Sequence, residues 1–247
     1  MGSEMCIRDS SNTTGCTEIH DFEILGDRVQ LRAKAFLQGN YNEMTGRMSD
    51  DLRLNGYLPT LSPYDTGNEI DSTIFNRTGD NAIIDWVQVE LRDKNDPAFV
   101  LATQDALLQS DGDVVGLDGA SALTFQGLGM NNYYVAIHHR NHLAVMTAEP
   151  VFLNQTLSGF ANFTRGNIYG TNPCKIFGDD TTALYQGDTN GEGSINAADR
   201  ANTWNDRNQT GYKGSDCNLD GSVNAADRSI TWNNRNRFTM VFIEGCP

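Results

Sequence analysis

The sequence predicts a mainly β protein in which an antiparallel β-sandwich is followed by a small α-helical domain. Apolar and polar residues alternate in several short upstream segments, and a twelve-residue pattern occurs twice near the C-terminus. The predicted organisation is a disordered or artefactual leader at 1–16, a sandwich at 17–180, a helical domain at 181–237 and a tail at 238–247.

Strict alternation of period two marks residues 29–37 and 86–91 as strands. Further short strands are predicted at 99–103, 106–109, 114–117, 133–138 and 143–147. Segments rich in Asp, Asn, Gly and Pro separate them, and these residues are typical of turns. Strands at such short spacing indicate an antiparallel sandwich.

The repeated pattern runs from Asp188 to Asp199 and, 28 residues later, from Asp216 to Asp227. Counted from the first residue of each copy, 14 of 21 aligned positions are identical, which indicates internal duplication. The Ala-Ala-Asp-Arg run after each copy favours helix, and Asn196 and Asn224 are candidate N-caps.

Each copy has the spacing of a calcium loop. Oxygen-bearing side chains stand at positions one, three, five, nine and twelve, and glycine at position six allows a sharp turn. Position seven supplies a main-chain carbonyl, so its side chain is free to vary. The sequence therefore predicts two Ca²⁺ ions, with Asp188, Asn190, Glu192, Asn196 and Asp199 at the first site and Asp216, Asn218, Asp220, Asn224 and Asp227 at the second.

Residues 186–237, with a loop and one exiting helix per copy, resemble the type I dockerin module. The resemblance implies the same ten calcium ligands. It also implies docking onto a cohesin-like protein domain through nearly two-fold symmetric helix surfaces, which permits two binding orientations. Glu192 is longer than the expected Asp or Asn, so the first site is predicted to be the weaker. Trp204 and Trp232 are either docking anchors or core, and a core role is the favoured interpretation.

Upstream, segments 33–39, 56–60, 85–93 and 138–148 resemble a β-rich domain found near the C-termini of large secreted Bacteroidetes proteins. This resemblance spans roughly residues 29–185 and implies a location outside the cell. It assigns no activity.

Charge narrows the class of partner. Residues 1–187 carry 12 Lys and Arg against 24 Asp and Glu, whereas residues 188–237 carry 6 against 7. An acidic surface repels phosphate backbones, so nucleic acid is excluded as a partner, and no run of eighteen apolar residues predicts a membrane span. Calcium loops of this kind fill at extracellular calcium levels, which predicts an extracellular or cell-surface location.

The N-terminus lacks the apolar region of a signal peptide. Residues 5–10 look like translated adapter sequence, so the chain is expected to be the C-terminal piece of a longer secreted protein. Without Cys6, four cysteines remain. They either form the disulfides Cys16–Cys174 and Cys217–Cys246 or stay as free thiols.

Common catalytic motifs are absent from the sequence. Three other sets of residues are candidates for chemistry, and each has an ordinary structural interpretation. A histidine set is either a zinc site or a solvated turn, namely His138, His139 and His142. An acidic set is either a glycosidase-type pair or turn residues, namely Asp111, Asp113 and Asp118. An aromatic set either stacks on sugars or packs in the sheet, namely Tyr57, Tyr64 and Tyr133.

Three functions follow from the sequence. The leading hypothesis is a non-catalytic calcium-binding docking or structural module. The second is an adhesin or carbohydrate-binding fragment whose β domain binds a glycan or surface ligand. The third is the tail of a secreted hydrolase acting on polysaccharide or protein, with the catalytic domain upstream of this chain.

Overall fold

The computed structural model describes residues 27–156 and 159–241, and in these ranges the predicted mainly β fold is confirmed. Three α-helices are α1 (Asp51–Leu54), α2 (Ala197–Asn205) and α3 (Ala225–Asn233). The strands are β1 (Arg28–Lys34), β2 (Tyr41–Asn42), β3 (Arg47–Met48), β4 (Ile83–Asp93), β5 (Val100–Gln109), β6 (Asp113–Val115), β7 (Leu123–Gln126), β8 (Asn131–His139), β9 (His142–Met146), β10 (Val151–Leu153), β11 (Gly159–Asn162), β12 (Lys175–Ile176) and β13 (Thr182–Ala183).

One nine-stranded sheet dominates the described chain, with the order β10-β8-β4-β5-β6-β1-β11. Strand β7 also pairs with β1, and β9 also pairs with β8. All of its ladders are antiparallel except that between β1 and β11. Strands β1 and β10 lie in contact although no ladder joins them, so the sheet folds back on itself.

The apolar core lies between the faces of this sheet. The predicted alternation on β1 is confirmed, because Val29, Leu31 and Ala33 are all buried. On β4 both faces are covered, since Trp86 is fully buried opposite Val87, and its indole N–H donates to the Pro59 carbonyl oxygen at 2.9 Å. A buried indole requires such an acceptor.

The strand predictions differ from the structure in two ways. The predicted segments 99–103 and 106–109 form one continuous strand, β5, which begins at Val100, because no turn residue interrupts the ladder with β4. Strands β2, β3, β7 and β10–β13 are not predicted by the sequence. Each has four residues or fewer, which is too short for alternation to be recognised.

The repeat region is joined to the sheet by backbone pairing. Leu184 forms a parallel bridge with Leu37, and its N–H donates to the Phe36 carbonyl oxygen at 2.8 Å. Hairpin β12–β13 crosses the predicted boundary between residues 180 and 181. From the second repeat, Leu219 joins the main apolar core.

Among the described residues, no helix is long and apolar enough to cross a membrane.

A substitution at Gly39 tests how closely the β domain packs against the second repeat. A Cβ at Gly39 would lie 2.3 Å from the Cys217 carbonyl oxygen and 2.9 Å from the Asn218 Cα, both backbone atoms that cannot move aside cheaply. We expect Gly39→Ala to lower the free energy of unfolding by about 1–3 kcal/mol, the usual cost of overpacking. Urea denaturation followed by tryptophan fluorescence measures the change.

Gly129→Ala is the matched control, because a Cβ there meets nothing within 4 Å. Its stability should stay within about 1 kcal/mol of the parent, on the stabilising side. Equal stabilities for the two variants would contradict the close packing of the turn between β1 and β2 against the second repeat.

Candidate metal centres and the hairpin that holds them

Position one of each repeat is fastened to position six. The Asp188 carboxylate accepts the Gly193 N–H at 2.9 Å, and the Asp216 carboxylate accepts the Gly221 N–H at 2.8 Å. The two glycines have φ values of 85° and 86°, in the left-handed region that glycine adopts freely. The predicted reason for glycine at position six is therefore confirmed in both copies.

Position twelve closes each loop. In the first, Asp199 accepts the backbone N–H groups of Thr189 at 2.7 Å and Asn196 at 2.8 Å. In the second, Asp227 accepts those of Cys217 at 2.8 Å and Asn224 at 2.8 Å. Both carboxylates are fully buried, so each draws the beginning and the end of its loop together.

Position nine begins the helix, as predicted. The Asn196 side-chain oxygen accepts the Ala198 N–H at 2.7 Å, and Asn224 does the same for Ala226 at 2.7 Å. Each cap belongs to a capping box with the aspartate at position twelve. The amide oxygen is thus engaged with the helix, which fits the water-mediated role that position nine often has in calcium loops.

Positions three and five differ between the copies. Glu192 accepts hydrogen bonds from the Ser194 hydroxyl at 3.0 Å and from the Asn196 amide. The shorter Asp220 instead accepts the Asn218 amide at 2.9 Å and the Ser222 N–H at 2.8 Å. Glu192 therefore reaches across to position nine, whereas Asp220 stays within its own turn.

The loops concentrate buried negative charge. Burial raises the pKa of Asp188 to about 7, and the nearby Asp199 and Glu192 carboxylates add to the rise. Burial raises the pKa of Asp216 to about 7 as well, with Asp227 and Asp220 adding to it. Arg140 lowers the pKa of Asp216 in part, but burial and the neighbouring carboxylates outweigh it.

These residues fit a hard divalent cation. The Oδ1 atom of Asp188 is buried and has no hydrogen-bond partner among the described residues, which is the state expected of an oxygen that faces a cation. In the described ranges, no three His, Cys, Asp or Glu side chains lie close enough to form a metal group by themselves. Calcium also takes amide and main-chain oxygens, so a loop of this type does not need such a group.

The two repeats complete each other across a pseudo-two-fold arrangement. Ile195 in the first loop exchanges backbone hydrogen bonds with the chain after α3, at Asn236 and Arg237. Val223 in the second loop does the same with the chain after α2, at Asn208 and Gln209. Neither loop is complete without the segment that follows the other repeat's helix.

The β8–β9 hairpin inserts its tip into the second loop, a feature that sequence reasoning missed. The Asn141 amide donates to the Gly214 carbonyl oxygen at 3.0 Å and to the Asp216 carbonyl oxygen at 2.7 Å. The neighbouring Arg140 donates to the Lys213 carbonyl oxygen. Asn141 is completely buried, so these bonds lie inside the protein.

A buried ion pair between Asp85 and Arg140 lies next to the tip of the hairpin. Asp85 accepts hydrogen bonds from Arg140 at 3.0 Å and from the Tyr212 hydroxyl at 2.6 Å, and the Arg140 guanidinium lies 4.1 Å from the Tyr212 ring centre. Burial opposes ionisation of Asp85, but Arg140 and the hydrogen bond from His139 hold its pKa well below the ordinary value. Asp85 and Arg140 are therefore both charged, and they join the sheet to the segment before the second loop.

The predicted solvent exposure of the histidine set is wrong for two of its three members. His139 and His142 are buried rather than solvated, although Arg140 and Asn141 form the turn as predicted. Burial lowers the pKa of both rings, so both are neutral at pH 7. His138 faces Glu90 instead, with 3.0 Å between their nearest atoms. Within the described chain the three histidines form no metal group.

The acidic set has the role of ordinary turn residues and ion-pair partners. Asp118 accepts the Ala120 and Ser121 N–H groups, and Asp111 accepts the Asp113 N–H at 3.1 Å. Lys34 lies 3.2 Å from Asp113.

The aromatic set packs against the core. Tyr133 is buried, Tyr64 donates to the Trp86 carbonyl oxygen at 3.2 Å, and the Tyr57 ring lies against Gly221. None of the three is the exposed platform considered for sugars.

Two further predictions concern the helices and the cysteines. Trp204 and Trp232 are each 49% exposed, so the favoured core role is wrong. Cys174 and Cys217 are buried. Their predicted partners, Cys16 and Cys246, lie outside the described residues.

No protein-family model matches the chain, and no curated protein matches it. Two crystal structures of type II cohesin–X-dockerin complexes from Acetivibrio cellulolyticus are similar to it. An N-terminal interface mutant has 18% identity and a TM-score of 0.38, covering 62% of this chain and 82% of that chain. A C-terminal interface mutant has 14% identity and a TM-score of 0.41, covering 87% and 98%. At such low values the similarity establishes neither fold nor function.

Asn141→Ala tests the hairpin insertion. It leaves the buried carbonyl oxygens of Gly214 and Asp216 without their donor, and we expect the free energy of unfolding to fall by about 1–3 kcal/mol. Asn205→Ala, on the exposed face of α2, is the matched control and should change stability by less than about 0.5 kcal/mol. Chemical denaturation measures the free energy of unfolding of both variants. Equal losses would contradict the role of Asn141.

The raised pKa values predict a pH dependence of the metal-free protein. Between pH about 4 and about 7, folded Asp188 and Asp216 hold protons that the unfolded chain has released, so their contribution to stability falls as pH rises. Buried His139 and His142 act in the opposite direction below pH about 6.5, because the unfolded chain binds their protons.

The double variant Asp188→Asn/Asp216→Asn isolates the aspartate contribution. Its free energy of unfolding should increase more steeply with pH than that of the parent across this window, because the opposing histidine contribution remains. Urea denaturation of metal-free protein at several pH values measures both slopes. Parallel slopes would show that the two aspartates titrate normally.

Proposed function

We propose that this chain is a non-catalytic calcium-binding module of an extracellular or cell-surface protein. In this proposal the repeats form a two-calcium, dockerin-like domain behind a β-sandwich. Each repeat binds one Ca²⁺, and the exposed faces of α2 and α3 attach the module to a partner protein. A cohesin-like domain is the class of partner that the sequence resemblance suggests.

The observation that carries the proposal is the recurrence of one loop geometry in both copies. Position one accepts the glycine N–H at position six, position twelve closes the loop, and position nine caps the helix. The sequence of each loop contains three acidic residues, and the first loop contains a buried carboxylate oxygen without a hydrogen-bond partner among the described residues. A ligand for this arrangement must be a small cation that prefers oxygen.

Bound Ca²⁺ would neutralise the mutual repulsion of these carboxylates. Two like charges 4 Å apart repel by about 4 kcal/mol near a protein surface, so a metal-free loop is under strain. Asp188 and Asp216, with pKa values of about 7, lose their remaining protons when the cation binds. Metal binding then stabilises the helix that follows each loop.

Isothermal titration of the metal-free chain with calcium tests the proposal. We expect two ions per chain and a melting temperature that rises with free calcium. Asp216→Ala should lower the affinity more than Asp188→Ala, because the first loop already carries the longer Glu192. Both variants remove the carboxylate at position one, so a difference in their calcium affinity reflects the loop in which the change is made.

Asp113→Ala, outside the repeats, is the control and should leave both ions bound. Circular dichroism in the same buffers verifies that each variant is folded. Equal losses for Asp188→Ala and Asp216→Ala would contradict the predicted order of the sites. Absence of binding heat together with an unchanged melting temperature would reject the calcium proposal.

A further inference from the structure

The exposed faces of α2 and α3, together with the residues just after each helix, carry a repeated cluster of arginine and tryptophan. We name it the Arg-Trp cluster, and its members are Arg200, Trp204, Arg207, Arg228, Trp232 and Arg235. Each repeat contributes three residues at equivalent positions. Both indoles are 49% exposed, which is unusual for the largest apolar side chain.

Each indole is contacted by one arginine from each repeat. Arg207 lies 4.4 Å from the Trp204 ring centre, and Arg228 of the other repeat lies 4.9 Å from it. Arg235 lies 4.2 Å from the Trp232 ring centre, and Arg200 of the other repeat lies 4.8 Å from it. Cation–π contacts of this kind fix guanidinium groups at defined positions on a surface.

The carbonyl oxygens of the same tryptophans hold two of the arginines in place. Arg207 donates to the Trp204 carbonyl oxygen at 2.8 Å, and Arg235 donates to that of Trp232 at 2.8 Å. A guanidinium that is already ordered loses less entropy when it binds a ligand. The cluster is therefore preorganised in both copies.

The cluster's positive charge is not neutralised within the described chain. None of the salt bridges found there includes any of its four arginines. The helix carboxylates, Asp199 and Asp227, are buried and point into the loops. Four arginines thus stand together on a protein whose formal net charge is −14.

We propose that the Arg-Trp cluster is the docking surface of this module and that it binds a compact group of carboxylates on a partner protein. This inference rests on the docking role proposed above. Planar guanidinium groups bind carboxylates through two parallel hydrogen bonds, and tryptophan and arginine dominate binding energy at interfaces.

Two other ligand classes fit less well. A sugar ring stacks on a free aromatic face, whereas each indole here already has two guanidinium groups over it. A long polyanion would extend beyond the cluster onto the acidic remainder of the protein, where it is repelled. A short acidic segment or a small acidic patch of a folded protein matches the size of the cluster.

The test uses the full chain and two probes of equal charge, a hexaglutamate peptide and a hexagalacturonate. Trp204 and Trp232 report binding through their fluorescence, because the third tryptophan, Trp86, is completely buried. We expect saturable binding of the peptide that weakens with added salt. Binding of hexagalacturonate as tight as that of the peptide would overturn the assignment to a protein ligand.

Arg200→Gln/Arg228→Gln removes the two contacts that cross between repeats, and we expect at least about a tenfold loss of peptide affinity. Arg32→Gln/Arg165→Gln removes the same charge from exposed positions of the β domain and should leave the affinity within about twofold. Equal losses in the two double variants would overturn the proposal, since the effect would then be one of net charge.

Calcium titration of Arg200→Gln/Arg228→Gln separates this inference from the proposed function. We expect two bound ions and an unchanged melting temperature. Normal calcium binding by the parent without any peptide binding would reject the docking surface and leave the calcium sites standing. Peptide binding by a parent that takes up no calcium would reject the calcium sites and leave the docking surface standing.

Discussion

The capture of the second repeat by the β8–β9 hairpin is the contact on which the rest of the structure depends. The Asn141 side chain brings two polar atoms into a buried site. Its amide nitrogen donates hydrogen bonds to two carbonyl oxygens of the second repeat, and its amide oxygen lies 2.8 Å from the His142 ring nitrogen. Breaking this contact removes the Asn141 donor from the carbonyl oxygens of Gly214 and Asp216. The Asp85–Arg140 ion pair holds the hairpin in that position, and Tyr212 extends it to the chain before the loop. A buried ion pair of this kind contributes more to fixing one arrangement than to net stability.

This contact makes two repeats of nearly equal sequence physically unequal. At position four the first loop has Gly191 with φ of 69°, whereas the second has Leu219 with φ of 60°. Leucine is strained in that region, but its side chain is buried in the core of the β domain, which offsets the strain. The second loop thus shares the core of the β domain, whereas Ile195 of the first loop packs in a separate small cluster with Leu143 and Tyr185. The Arg-Trp contacts on α2 and α3 nevertheless remain equivalent in the two copies.

The sequence predicted what depends on local chemistry. The loop positions, the glycine turns and the asparagine caps follow from spacing within twelve residues, and the strands β1 and β4 follow from alternation. It could not predict contacts between distant segments. Nothing near Asn141 marks it as a donor to residues more than seventy positions away, and a histidine-rich turn reads as exposed until its covering segment is known. The exposure of Trp204 and Trp232 was missed for a related reason. An arginine of the opposite repeat, and not the apolar core, covers part of each indole, and such a contact between distant residues does not follow from the local sequence.

Differential scanning calorimetry of the full chain, with calcium and after its removal, tests the central claim most directly. We expect a single unfolding transition for sheet and repeats together, which moves to higher temperature when calcium is present. Two separate transitions, with a sheet transition that does not respond to the ion, would contradict it, because the repeats would then fold apart from the domain that holds them.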